Sequence, residues 1–167
     1  MIAIKNVLVA TDFSAASETA LTYGRALARS FNAKLHVLNV VDDLSRFLYP
    51  EGTGLLPYAQ MQTEIRRAAE EQLEALVDAS DRRELQAETI LKTGSSAANE
   101  IIEYAKQTSI DLIIVGATGR GAVDRMLMGS VADKVVRHAP CPVLAVRHPE
   151  HEFVMPDALQ TVHHTNA

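Results

Sequence analysis

The chain has 167 residues, 47% hydrophobic and 22% charged, which predicts a single globular domain able to bury a core. The net charge of −5 and the dispersed Lys and Arg exclude the basic footprint of a nucleic-acid-binding protein, and no apolar run is long enough to span a membrane. One cysteine, Cys141, excludes an intrachain disulfide. The low cysteine content and the lack of a signal-peptide pattern after Met1 favour a cytoplasmic location.

The first apolar run, residues 6–10, predicts a buried strand followed by a helix over residues 15–29. Ser14 is the expected N-cap of this helix. Asp12 lies where the strand ends, and ligand-binding groups gather at strand ends in open α/β sheets. Two roles are open for Asp12: contact with a ligand, or capping of the same helix.

Residues 34–41 predict the second strand, and Asp42 and Asp43 follow it. Two adjacent carboxylates are either solvated or part of a metal site. Residues 44–57 are rich in Pro and Gly, which predicts a loop that is either a lid or a surface segment without a role. Apolar residues at helical spacing then predict one long helix over residues 58–80.

A third strand is predicted over residues 88–92 and a helix over residues 97–107. Ser95 and Ser96 come directly before this helix. Both serines are expected to cap it, and a cap near a bound phosphate could also donate a hydrogen bond to that phosphate.

The segment from Asp111 to Val131 carries the strongest functional signal. Its apolar run 112–115 predicts a fourth buried strand, and Ser130 followed by Asp133 marks the start of a helix. Four of the chain's eight glycines lie between these points: Gly116, Gly119, Gly121 and Gly129. Glycine lets the backbone approach a ligand, and a helix N-terminus offers unpaired N–H groups to anions. The segment therefore predicts a phosphate-binding site.

Two common phosphate-binding motifs do not fit. A Walker loop needs Lys and then Ser or Thr after its second glycine, whereas Ala122 follows Gly121. The dinucleotide-binding pattern would start at Gly119 and finds Asp124 where its third glycine belongs.

The spacing Gly116-x2-Gly119-x9-Gly129-Ser130 resembles the nucleotide motif of the ATP-binding branch of the universal stress protein family. The resemblance extends to Ile113-Ile114-Val115 before the glycines, to Val131 after them and to Cys141-Pro142-Val143-Leu144 further on. The resemblance covers roughly residues 3–147. We therefore expect one domain over residues 1–147 and a flexible C-terminal extension over residues 148–167.

The resemblance implies an open five-stranded parallel sheet with strand order 3-2-1-4-5 and helices on both faces. It places adenine toward Val40, ribose near Asp12 and the phosphates over the glycines, with Mg²⁺ arriving with the triphosphate. Arg120 and Arg125 either reach the phosphates or face solvent. The implied nucleotide-binding residues are Ala10, Asp12, Val40, Val115, Gly116, Gly119, Arg120, Gly129, Ser130 and Val131. No catalytic residue and no protein metal site are expected.

A helix is predicted over residues 130–138 and a fifth strand over residues 143–146, at the sheet edge of the implied order. An apolar edge strand invites pairing, and the resemblance points to a homodimer through it. With the intact glycine pattern, the resemblance implies an ATP-binding stress or signalling regulator. A protein partner is compatible with that role, and the sequence does not identify one. The alternatives are a slow ATPase or phosphotransferase, and a dimeric interaction protein that does not use nucleotide.

Overall fold

The computed structural model describes residues 2–47, 55–118 and 128–148. Its centre is a five-stranded parallel sheet in the order β3-β2-β1-β4-β5. The strands are β1 (Asn6–Ala10), β2 (Lys34–Asp42), β3 (Glu88–Gly94), β4 (Leu112–Gly116) and β5 (Val143–Val146). The predicted sheet and its strand order are confirmed. β2, β3 and β4 are each one or two residues longer than the apolar runs indicated.

Five α-helices connect the described parts of these strands. They are α1 (Ala15–Phe31), α2 (Leu55–Leu76), α3 (Ala79–Glu84), α4 (Ala97–Gln107) and α5 (Ser130–His138), with a short 3-10 helix at Leu44–Phe47. The predicted N-caps Ser14 and Ser96 are confirmed, since each side chain accepts a hydrogen bond from a backbone N–H of the first helical turn. None of the helices in the described ranges is long and apolar enough to cross a membrane.

The prediction of one long helix over residues 58–80 is wrong. The chain leaves the helix after Leu76, and Asp78 caps a new one by accepting from the backbone N–H of Asp81. Asp81 is 1% exposed, and its carboxylate accepts a hydrogen bond from Arg25 Nε at 2.8 Å. A buried carboxylate needs such a partner, and the break at Asp78 allows Asp81 to reach it.

The central strand β1 divides the core into two layers. Val7 and Val9 point to a cluster that includes residues of α1 and α2, whereas Leu8 points to a cluster built largely from α4 and α5. All three side chains are fully buried, as expected for the middle strand of a parallel sheet covered on both faces.

The register of the sheet brings three strand ends together. Ala10, near the end of β1, pairs with Leu38 of β2 on one side and with Val115 of β4 on the other. The strand that follows β1 in the chain, β2, lies on one side of it, whereas the strand that follows β4, β5, lies on the other side of the sheet. This reversal opens a crevice at the carboxyl ends of β1 and β4, where ligands bind in sheets of this type.

Candidate functional site

Buried hydrogen bonds hold the turn that follows β1. Thr11 N donates to the backbone oxygen of Leu38 at 2.9 Å, and Asn39 Nδ2 donates to the backbone oxygen of Thr11 at 2.8 Å. Thr11 Oγ1 accepts from Phe13 N at 3.0 Å and lies 3.1 Å from Ser17 Oγ. The turn is therefore fixed to β2 on one side and to α1 on the other.

Asp12 lies inside this turn and is half-buried. Its Oδ1 accepts from Ser14 N at 3.1 Å and from Ser14 Oγ at 2.5 Å. Ser14 Oγ in turn accepts from Ser17 N at 3.4 Å and caps α1. Of the two roles left open by the sequence, direct capping of α1 belongs to Ser14, and Asp12 orients the residue that caps.

Gly116, the last residue of β4, lies against the first turn of α1. A Cβ added to Gly116 would be 2.9 Å from the backbone carbonyl carbon of Ala16 and 3.0 Å from Ser17 N. These distances leave no room for a side chain. The absence of a side chain therefore lets the end of β4 approach the helix that begins beside Asp12.

The start of α5 is tied to the same edge of the sheet. Gly129 N donates to the backbone oxygen of Ala117 at 2.7 Å, and Ala117 N donates to the backbone oxygen of Val146 at 2.6 Å. The helix starts at Ser130 as predicted, but the capping role that a serine commonly has at such a start does not belong to Ser130. Gly129 is the N-cap, Ser130 is the first helical residue, and the helix has no side-chain cap. The bond from Gly129 N to Ala117 holds residue 129 at the cap position, directly beyond the end of β4.

The start of α5 has no side-chain cap and fits an anionic group. The first N–H groups of a helix lack partners within the helix and attract anions. Ser130 is exposed and Val131 is 39% exposed, so the first turn is open to solvent. The donors of this turn suit a phosphate group.

Three further predicted residues lie beside this edge on the α4–α5 face of the sheet. Ala10 and Val40 are partly buried and pack against the cluster on that face. Val115 belongs to the cluster itself and is 3% exposed, so its side chain is part of the core. The sheet thus brings Ala10, Val115 and Gly116 together, with Val40 one strand away.

Gly119 and Arg120 lie outside the described residues, as do Arg125 and the extension from residue 149 onward. Asp43 accepts from Ser45 N at 2.9 Å. In the parts of the chain that the structure describes, no three His, Cys, Asp or Glu side chains are grouped to hold a metal ion. Burial, followed by the charge of Asp111, raises the pKa of Cys141, which disfavours the reactive thiolate.

Sequence reasoning missed Thr11, Phe13 and Asn39 as parts of the site. A signal for Asn39 was present, because it is an amide within the apolar run Leu38–Val41 of a predicted buried strand. Phe13 has a φ of 63°, which is uncommon for a bulky residue and carries no sequence signal.

A second polar cluster lies at the amino end of the sheet. His36 is 4% exposed, and its Nδ1 lies 2.9 Å from both Tyr104 Oη and Glu88 Oε1. Glu88 also accepts from Lys34 Nζ at 2.7 Å. Burial lowers the pKa of His36, although the charge of Glu88 opposes that shift. Burial would raise the pKa of Glu88, but the hydrogen bond from Lys34 and the charges of His36 and Lys34 together lower it.

Comparison with known proteins identifies the fold family. The sequence profile of the Universal stress protein family matches residues 3–147. A putative universal stress protein of Staphylococcus haemolyticus is 34% identical over 151 residues, which is 90% of this chain and 88% of that protein. A universal stress protein of Methanocaldococcus jannaschii is 31% identical over 148 residues, which is 89% of this chain and 85% of that protein.

Solved structures agree with the sequence relatives. The universal stress protein UspA from Lactobacillus plantarum superposes with a TM-score of 0.69 at 31% identity, covering 88% of this chain and 100% of the other. Two other universal stress proteins share the fold with TM-scores of 0.56. One is in complex with cAMP, at 24% identity over 87% of this chain and 98% of the other. The other, from Archaeoglobus fulgidus, is in complex with dAMP, at 22% identity over 87% and 99%.

The family profile spans most of the chain. The alignments with relatives more than 30% identical cover most of this chain and most of each relative. The strand order expected for the family is also the one observed. This chain belongs to the universal stress protein family.

Proposed function

We propose that this protein binds ATP at the crevice between β1 and β4, and that nucleotide occupancy sets its output as a cytoplasmic stress-response or signalling regulator. One observation carries the proposal. Three features meet at one edge of the sheet: the turn that contains Asp12, the end of β4 at Gly116, and the start of α5, which has no side-chain cap. Of these features, Gly116 and the start of α5 at Gly129 and Ser130 belong to the spacing Gly116-x2-Gly119-x9-Gly129-Ser130.

In this proposal each part of the nucleotide meets a different element. Adenine lies toward Val40 and ribose lies toward Asp12, whose carboxylate accepts hydrogen bonds from hydroxyl groups. The phosphates lie toward Gly129, Ser130 and Val131, where the first turn of α5 offers N–H donors. The motif adds Gly119 and Arg120 to the phosphate end. Mg²⁺ comes with the triphosphate and keeps water and phosphate oxygens as ligands.

Adenine nucleotides occur in two proteins of this fold, with cAMP in one and dAMP in the other. Those ligands belong to those proteins, and at such low identity the likeness concerns the fold alone. The proposal of ATP for this chain therefore relies on its own residues. Binding experiments should include both monophosphates beside ATP, because only ATP uses the full length of the proposed phosphate site.

An ATP-hydrolysing enzyme is the second candidate. Residues 111–131 contain no His or Glu that could act as a general base, and no Lys that could offset phosphate charge. We therefore expect any hydrolysis to be slower than about 1 per second, the lower end of common enzyme rates. A faster multiple-turnover rate from protein free of contaminating ATPase would make the enzyme the better proposal.

Assembly as a homodimer through β5 is part of the proposal. β5 is the last strand of the described sheet order and pairs with β4 on one side. The backbone oxygen of Pro142 accepts from Ile113 N of β4, and that of Val146 accepts from Ala117 N directly after β4. Because backbone groups alternate along a strand, those of Val143 and Ala145 point toward the open edge. A second copy of β5 could pair there.

Mass spectrometry of the denatured, freshly purified protein tests the proposal first, since a tight ligand would copurify and show its mass. Titration of nucleotide-free protein with ATP and with inorganic tripolyphosphate then separates the two ends of the site. Asp12→Ala should weaken ATP binding more than tripolyphosphate binding. Equal losses for the two ligands would place Asp12 outside the nucleoside end and contradict the proposed orientation.

A further inference from the structure

Asn39 is buried at 5% exposure beside the turn that carries Asp12. Its Nδ2 donates to the backbone oxygen of Thr11 at 2.8 Å, which fixes which end of the amide faces the turn. The other end, Oδ1, is buried and has no hydrogen-bond partner among the described residues. An amide oxygen buried in this way destabilises a fold, so a purely structural account of Asn39 is incomplete.

Phe13, on the other side of Thr11, is a second unfavourable feature. Its φ of 63° lies in the left-handed region, where a bulky side chain is strained. The bond from Phe13 N to Thr11 Oγ1 and the packing of its ring against the apolar cluster on the α1 face hold it there. Backbone strain of this kind persists only where the surroundings determine the conformation.

Both features act on one short segment. Asn39 Nδ2 donates to the backbone oxygen of Thr11, and Phe13 N donates to Thr11 Oγ1. Asp12 lies between Thr11 and Phe13 in the chain. Unsatisfied buried groups and strained backbone concentrate at functional sites, where they fix a geometry that binding requires. Asn39 faces away from the proposed adenine position, because it alternates with Val40 along β2. Asn39 would therefore act through Thr11 and not by touching a ligand.

We infer that Asn39 is a positioning residue for nucleotide binding: its bond to Thr11 holds the turn so that the Asp12 carboxylate is ready to receive the nucleoside. This inference rests on the proposed function and adds a residue to it. It predicts a selective effect, because the loss of Asn39 displaces Asp12 but leaves the phosphate end at α5 intact. A residue that served folding alone would weaken all ligands alike or none.

Asn39→Leu is the direct test, since leucine resembles asparagine in shape and lacks the amide. Asn6→Leu is its matched control. Asn6 Nδ2 also donates to a backbone oxygen, that of Ser109 at 3.4 Å, but at the opposite end of the same sheet. Calorimetric titration should show the dissociation constant for ATP raised about ten-fold in Asn39→Leu and less than about two-fold in Asn6→Leu. Tripolyphosphate affinity should change by less than about two-fold in both variants.

A second variant keeps the test decisive if Asn39→Leu fails to fold. In Asn39→Asp a carboxylate cannot donate to the oxygen of Thr11, whereas the protonated acid can. Burial and the facing carbonyl would raise the pKa of that carboxyl group, so it should titrate as the pH falls from about 7.5 to about 5. ATP affinity relative to the parent protein at the same pH should recover over that range.

The outcomes separate the two proposals. ATP affinity unchanged in Asn39→Leu, or lost in step with tripolyphosphate affinity, would overturn the positioning role and leave the proposed function standing. A pH-independent ratio of affinities for Asn39→Asp would do the same. A parent protein that binds no nucleotide would overturn the proposed function, and the role of Asn39 with it.

Discussion

Gly116 at the end of β4 lies so close to Ala16 in the first turn of α1 that an added Cβ would be 2.9 Å from the Ala16 carbonyl carbon. Neither partner can move easily, because one belongs to an interior strand and the other to a helix packed on the sheet. The glycine is therefore needed for the packing of β4 against α1.

Replacing Gly116 by alanine should destabilise the protein by about 1–3 kcal/mol, the range for overpacking a well-packed site. Urea unfolding measures this change. Gly94→Ala is the control, since its Cβ would also come close, 2.6 Å, but only to the side chain of Glu100, which can rotate away. We expect the control to lie within about 0.5 kcal/mol of the parent. Equal losses in the two variants would show that the contact with Ala16 relaxes at little cost.

Stability should fall in mild acid because of His36. Its pKa is lowered in the folded state, chiefly by burial, so the unfolded chain binds the proton more readily. The neutral histidine contributes its full stability above the unfolded pKa of about 6.5, and this contribution is lost as the pH falls below that value. The titratable groups that face His36 are Glu88, Lys34 and Tyr104. The lowered pKa of Glu88 adds a further loss at more acid pH.

Urea unfolding of the parent and of His36→Gln between about pH 7.5 and about pH 5.5 checks this prediction. Glutamine keeps hydrogen-bonding groups near Tyr104 and does not titrate. The parent should lose stability toward acid more steeply than the variant. Parallel curves would show that protonation of His36 does not couple to folding.

The proposed homodimer predicts a specific sensitivity at Ala145. Ala145→Pro removes a backbone N–H that points to the open edge of β5 and leaves in place the bonds from Ile113 N to Pro142 O and from Ala117 N to Val146 O. Light scattering at roughly tens of micromolar should show a dimer for the parent and a monomer for Ala145→Pro, since interfaces of standard size commonly reach such affinities. Ala145→Ser keeps the N–H and should remain dimeric. A folded Ala145→Pro protein that is still a dimer would place the interface elsewhere.

Much of the fold could be predicted because the sheet has a simple hydrophobic pattern. β1 has the predicted limits because it is buried on both faces and reads as a short continuous apolar run. The break between α2 and α3 could not be predicted in this way, since Leu76 and Val77 continue the helical spacing up to the break. The break depends on Asp78 and on a contact between Asp81 and Arg25, which are 56 residues apart.

The predicted site illustrates the same limit. Asp12 and the glycines have local signals, but the choice of Gly129 over Ser130 as the cap depends on a bond to Ala117 at the end of β4. Asn39 was missed because its partner Thr11 is 28 residues away. Local sequence shows which residues could bind a ligand, and tertiary contacts decide which residues hold them in place.

Calorimetric titration of ATP into nucleotide-free parent and Gly119→Val proteins tests the central claim most directly. The proposed site requires close approach of the backbone to phosphate at position 119, so valine should weaken ATP binding about ten-fold or more, or about 1.4 kcal/mol per factor of ten. Gly121→Val is the matched control, because Gly121 lies outside the spacing of the glycine motif. The account predicts ATP binding by the parent, a loss of that size in Gly119→Val and a smaller loss in the control. ATP binding by Gly119→Val equal to that of the parent would contradict a nucleotide site built on these glycines.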